Sequence, residues 1–205
     1  MIKYLFSNID KVNGFSELQS KYLSKDLRNC NNILFVPSDY DNEKYTIYKD
    51  KIISWFDNIG ISFKENHLVS VDDELNDYDV IFLMGGNTIK QIEIINKINL
   101  KNLINKAKVV IGVSAGAINL SNEAIYYNDY SEKIEIYDGI GLTDINVYPH
   151  FDINNKEFLE EVKMVSKIKA LIALPNESFI KLDDEQIEFC GDCYKVANDN
   201  IIEIN

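Results

Sequence analysis

Gly112-Val113-Ser114-Ala115-Gly116 follows the β-branched run Val109-Val110-Ile111 and satisfies the pattern Gly-x-Ser-x-Gly. Where a buried strand ends in such a turn and a helix begins, the serine is forced outward at the apex. The glycines on either side permit a backbone approach that any Cβ would block. The chemistry this suits is nucleophilic attack on a carbonyl, with the backbone N–H of Ala115 directed at the oxyanion that develops. The alternative is a tight strand-to-helix turn whose serine caps the helix.

A hydrolytic serine needs a base, and the chain offers His67 and His150. His67 precedes a strand on the N-terminal side. His150 stands in Tyr148-Pro149-His150-Phe151-Asp152, where a short extended segment ends and Pro149 stiffens the approach. His150 is the favoured base. A third member would hold the imidazole tautomer, and Asp129, Asp144, Asp152 and Glu177 are all candidates. A second glycine site, Gly85-Gly86-Asn87-Thr88, follows the apolar run Val80 to Met84. Its backbone N–H groups could cradle a phosphate or complete an oxyanion hole, and Asn87 or Thr88 can cap the helix that follows. The segment is neither a Walker A loop nor a Gly-x-Gly-x-x-Gly fingerprint, which argues against a dinucleotide cofactor.

These residues need a scaffold, and the chain supplies one by alternation. Strands are expected at Tyr4 to Ser7, Ile33 to Pro37, Leu68 to Val71, Val80 to Met84 and Val109 to Val113. Helices are expected at Phe15 to Leu23, Tyr45 to Phe56 and Ile89 to Ile98. The pattern predicts one α/β domain over residues 1–205, a mostly parallel sheet with helices on both faces. After Asp144 it changes. A short extended segment at Asn146 to Tyr148 and a helix at Glu157 to Ile168 precede closely spaced strands at Leu171 to Leu174, Phe179 to Leu182, Ile187 to Phe189, Tyr194 to Val196 and Ile201 to Ile204. That tail reads as antiparallel. Cys190-Gly191-Asp192-Cys193 reads as a hairpin turn between two strands. A redox Cys-x-x-Cys would open a helix and a zinc site would need two further ligands, so no metal is expected.

Composition narrows the function classes. The 205 residues are 46% hydrophobic and 26% charged, ordinary for a soluble globular domain. The formal net charge is −12 and Arg28 is the single arginine, which argues against nucleic acid as a partner. No apolar run approaches the ~20 residues of a membrane helix, so no membrane partner is expected. The N-terminus reads as a first strand and not a signal peptide, which makes the cytoplasm the expected compartment.

Taken together, the motifs resemble the peptidase E family of serine dipeptidases, whose fold is related to class I glutamine amidotransferases. The resemblance covers most of the chain. It rests on Met84-Gly85-Gly86-Asn87-Thr88, with Met84 where a third glycine is usual, and on Ile111-Gly112-Val113-Ser114-Ala115-Gly116-Ala117. It rests also on Asn128-Asp129, on Asn146-Val147-Tyr148-Pro149-His150-Phe151, and on Leu174-Pro175-Asn176-Glu177, where Asn176 and Ser178 depart from the family pattern. The resemblance implies a Ser114 nucleophile, a His150 base and Asp129 as the orienting carboxylate. It implies oxyanion and substrate binding by Ala115, Gly85, Gly86 and Asn87, a short peptide as substrate, no cofactor, and a possible homodimer. Family members prefer an N-terminal aspartate held in part by an arginine beyond the histidine. This chain has none there, which leaves Lys156 as the nearest cation and implies an altered preference at the first residue. The alternatives are a cyanophycinase-like hydrolase and a drifted, non-catalytic binding protein of the same fold. An α/β-hydrolase would place its histidine later than His150, and a glutamine amidotransferase would carry cysteine at the elbow.

Overall fold

The computed structural model describes residues 1–39, 42–70, 73, 75–128, 131–184 and 186–204. In its N-terminal half, β1 (Ile2–Phe6), α1 (Glu17–Asp26), β2 (Asn32–Val36), α2 (Asn42–Asn58), β3 (Glu65–Leu68), β4 (Val80–Leu83), α3 (Thr88–Lys97), α4 (Leu100–Ile104), β5 (Val109–Val113) and α5 (Ala115–Asn119) follow in order. Then come β6 (Glu123–Asn128), β7 (Lys133–Asp138), β8 (Val147–Tyr148), α6 (Lys156–Ser166), β9 (Leu171–Ala173), β10 (Phe179–Leu182), β11 (Ile187–Cys190), β12 (Cys193–Ala197) and β13 (Asn200–Ile204).

The central sheet has seven strands in the order β11-β10-β1-β5-β4-β2-β3. β1, β5, β4, β2 and β3 run parallel, while β10 and β11 close one edge antiparallel. Both faces are covered, and the strand residues show why. Tyr4, Phe6, Ile33, Phe35, Phe82 and Ile111 pack with Leu23 and Phe56 of α1 and α2 on one side. Leu5, Leu34, Ile81, Leu83 and Val110 pack with Ile92, Ile95, Leu100 and Ile118 of α3, α4 and α5 on the other. Strands buried on both faces read as continuous apolar runs, as β4 and β5 do. A third cluster, with Phe151, Val162, Val165, Leu171 and Val196, fills the space between α6 and a four-stranded sheet ordered β13-β12-β9-β8.

The expected α/β architecture is therefore present, with three differences. The third strand lies earlier than expected, ending at Leu68, and Val71 falls outside the described residues. The β6–β7 hairpin was not anticipated. Finally, β11 and β12 do not pair with each other. β11 pairs with β10, and β12 pairs with β13 and β9. Gly191-Asp192 is thus not a hairpin turn; it hands the chain from one sheet to the other. Cys30, Cys190 and Cys193 are free and buried, and no metal-binding group of side chains occurs among the described residues. No helix among them is long and apolar enough to cross a membrane.

Candidate active site

The site forms where β1, β5 and β4 end side by side, the usual crevice of an open α/β sheet. Ser114 follows β5 with φ 52° and ψ −110°, outside the regions that L-residues favour. Its N–H donates to the Phe6 carbonyl at 2.9 Å, and its carbonyl accepts from Ala117 at 2.9 Å. The side chain makes no capping bond to α5, so the capping alternative does not hold. The two motif glycines are there for space. A Cβ on Gly112 would lie 2.5 Å from the Gly116 carbonyl oxygen, and one on Gly116 would lie 2.4 Å from the Leu83 carbonyl oxygen. Any side chain at either place would push the elbow off the sheet.

His150 enters from the small sheet. β8 pairs in parallel with β9, and the Phe151 N–H continues the contact by donating to the Leu174 carbonyl at 3.0 Å. His150 itself adopts φ 61°, an uncommon left-handed conformation for a residue with a Cβ. The buried hydroxyl of Ser7, just past β1, secures it. Ser7 Oγ accepts from the His150 N–H at 2.8 Å and donates to the Leu174 carbonyl at 2.9 Å. Ser114 Oγ then lies 2.9 Å from His150 Nε2.

On the other side of the ring, His150 Nδ1 meets Asn176 Oδ1 at 3.2 Å. Asn176 follows β9, so histidine and asparagine sit on neighbouring loops of two adjacent parallel strands. The next residue, Glu177, has φ 68°, and its N–H donates to Asn8 Oδ1 at 2.7 Å. Gln19, in the first turn of α1, ties the Asn8 and Glu177 carbonyls together through its Nε2. Nothing marked Asn176 in the sequence beyond its departure from the family pattern. Among the acidic candidates, Asp144 bonds Asn122 and Asp152 accepts from the Asn154 N–H. Glu177 engages through its backbone. Asp129 lies outside the described residues.

The His150 pKa is lowered from its ordinary value. His150 is at an exposed position, yet the ring is packed into the site, and this loss of hydration is the first cause. The contact with Asn176 opposes it, and the positive charge of Lys11 adds to the depression.

Gly85 faces the serine across the crevice, and Gly86 lines the same cavity. A Cβ on Gly85 would lie 3.5 Å from Ser114 Cβ. Gly86 has φ 135°, and a Cβ there would point at Ser38 Oγ, 2.0 Å away, and not at the oxyanion position. Ser38 is another residue the sequence did not single out. Its hydroxyl accepts from the Asn87 N–H at 3.0 Å, donates to the Gly85 carbonyl at 3.1 Å and contacts Tyr45 Oη at 2.5 Å. It fixes the glycine loop. The Asn87 side chain caps α3 by accepting from the Lys90 N–H at 2.9 Å, and Asn87 does not line the cavity beside Ser114. Ala115 opens α5, where helix geometry leaves its N–H without an intrahelical partner.

That cavity measures about 350 Å³, and Ser114, His150, Gly85 and Gly86 are among the residues that line it. Its cations are Lys11 and Lys44, both exposed. Lys156 opens α6 and is not among its lining residues.

Three comparisons with known proteins agree with this architecture. Residues 6–190 match the family model described as Peptidase family S51. A protein of Nostoc sp. (strain PCC 7120 / SAG 25.82 / UTEX 2576) named Peptidase E is 26% identical over 175 residues, which covers 78% of this chain and 72% of the relative. The crystal structure of a peptidase from an acI-B1 Actinobacterium superposes with a TM-score of 0.65 at 12% identity, covering 99% of this chain and 93% of that one. The last of these is a likeness of fold alone, but the family match spans the elbow, the glycine loop and the histidine and asparagine loops, and by it the chain belongs to peptidase family S51.

Proposed function

We propose that this protein is a serine peptidase that hydrolyses short peptides, with Ser114 as nucleophile and His150 as general base and then general acid. The observation that carries the reading is the 2.9 Å contact between Ser114 Oγ and His150 Nε2 at a strained apex, beside a cavity. Membership of the S51 family and the similarity to a protein named Peptidase E support it.

In this reading the Ser114 Oγ–carbon bond forms as the Oγ proton passes to His150 Nε2. The tetrahedral oxyanion is held by the N–H of Ala115 and by that of Gly85 or Gly86. The C–N bond then breaks, and His150 returns the proton to the leaving amine. Water, deprotonated by the same nitrogen, releases the acyl group and restores Ser114. Asn176 Oδ1 keeps the proton on Nδ1 by accepting a hydrogen bond from it, so that Nε2 carries the lone pair. An amide does for tautomer choice what a carboxylate does, as in Cys-His-Asn enzymes, but adds no negative charge beside the imidazolium. Asp129 is the competing candidate for this role.

Reaction with a fluorophosphonate probe tests the proposal. Wild-type protein is expected to be labelled at Ser114, and Ser114→Ala to be unlabelled. A wild-type protein that stays unlabelled while folded would refute it.

A further inference from the structure

Beside Ser114, His150 and the glycine loop, much of the cavity wall is apolar or aromatic. Phe82 and Met84, at the end of β4, are 1% and 3% exposed. Tyr45 and Ile52 of α2 are 3% and 6% exposed. Trp55 adds its indole and is held rigidly. The loop after β1 packs so closely on it that a Cβ on Gly14 would lie 2.5 Å from Trp55 Cγ, and Phe15 meets it edge-on at 6.3 Å. Tyr45 is equally fixed, through its hydroxyl contact with Ser38. The two lysines of the cavity are exposed, and Lys44 Nζ lies over the Tyr45 ring, 5.3 Å from its centroid.

In the serine peptidase reading the acyl carbonyl carbon bonds to Ser114 Oγ and its oxygen turns to Gly85 and Ala115, which leaves the adjoining cavity to the acyl residue's side chain. A carboxylate set against Phe82, Met84 and Trp55 would give up its hydration there. An apolar side chain gains by the same move.

We infer that the acyl-side residue of the substrate is a large apolar or aromatic amino acid, and that Met84 and Trp55 are the residues that determine this specificity. The inference rests on the serine peptidase reading. Met84 stands where the family resemblance expects a third glycine, and its flexible thioether lets one wall fit either aliphatic or aromatic side chains. The preformed, aromatic-walled shape is that of a site which binds by burying apolar surface.

The test is kcat/KM for the dipeptides Phe-Leu, Leu-Leu, Ala-Leu and Asp-Leu, run beside fluorophosphonate labelling of the same protein. Phe-Leu and Leu-Leu are expected to exceed both Ala-Leu and Asp-Leu by about tenfold or more, the usual return for burying one large apolar side chain. Met84→Ala and Trp55→Leu are each expected to cut the Phe-Leu to Ala-Leu ratio by roughly threefold or more. A preference for Asp-Leu, or equal rates across the panel, in protein that labels at Ser114 would overturn the inference and leave the nucleophile assignment standing. Should one variant fail to fold, the wild-type panel and the other variant still decide. An unlabelled wild-type protein would overturn the underlying reading instead.

Discussion

At the site, Ser114, His150 and Asn176 form one chain of side-chain contacts. Asn176 presents an amide oxygen, 3.2 Å from His150 Nδ1, where a carboxylate would stabilise the imidazolium. Loss of hydration lowers the His150 pKa against the opposing Asn176 contact, so the neutral, basic imidazole persists to lower pH. The acid limb of kcat/KM should therefore fall below about 6.5, the ordinary value for histidine. Asn176→Asp should move that limb upward and raise kcat, because a carboxylate favours the charged ring. Asn176→Ala should lower kcat by about tenfold, the worth of one orienting hydrogen bond, and a pH–rate profile of the three proteins checks both. An unmoved profile in Asn176→Asp would assign orientation to another residue, with Asp129→Asn as the next variant to measure. Ser114 and His150 were legible in the sequence because each sits in a local motif whose chemistry is written in adjacent residues. Asn176, Ser38, Lys11 and Lys44 were not. Each reaches the site from a different loop or helix, and an asparagine or a surface lysine carries no signature of the contact it will make.

The elements convert these residues into a site by close packing of backbones. Gly116 lets α5 lie against the end of β4, where Gly116→Ala would place a methyl group 2.4 Å from the Leu83 carbonyl oxygen. Overpacking of this kind costs about 1–3 kcal/mol. In a chain of this size that is a fall in Tm of roughly 2–12 °C, with turnover lost as the elbow shifts. Gly86→Val should act differently. Gly86 is exposed, and the added side chain would strike Ser38 and displace the glycine loop, so turnover should fall by more than Tm. Differential scanning fluorimetry and dipeptide hydrolysis on both variants separate the two effects. The strand–helix alternation of the first half was readable because β4 and β5 are apolar throughout while the helices carry one apolar face. The β6–β7 hairpin left a fainter trace, the alternation of Lys133-Ile134-Glu135-Ile136, on a hairpin with few fully buried residues. The pairing of β11 and β12 could not be read from Gly191-Asp192. A two-residue turn fixes where the chain bends, while the partners of each strand are chosen by edges distant in sequence.

Over the whole molecule, a formal net charge of −12 surrounds a cavity whose only local cations, among the described residues, are Lys11 and Lys44. Anionic peptides should be repelled at long range, and salt should relieve that repulsion. Raising ionic strength from about 0.01 M to about 0.15 M shortens the Debye length from roughly 30 Å to roughly 8 Å. It is expected to increase kcat/KM for Asp-Leu and to leave Phe-Leu nearly unchanged. Equal salt responses would mean that the two lysines, and not the overall field, govern approach. The division of the site between two sheets carries a further consequence. Ser114 belongs to the seven-stranded sheet, while His150 and Asn176 belong to the four-stranded one. The 2.9 Å span between serine and histidine therefore acts as a gauge of how the two halves are seated. A slip of one ångström at that seam would leave every strand, helix and core intact and still open the gap beyond proton transfer. On warming, such a molecule would fall silent while it still looked folded.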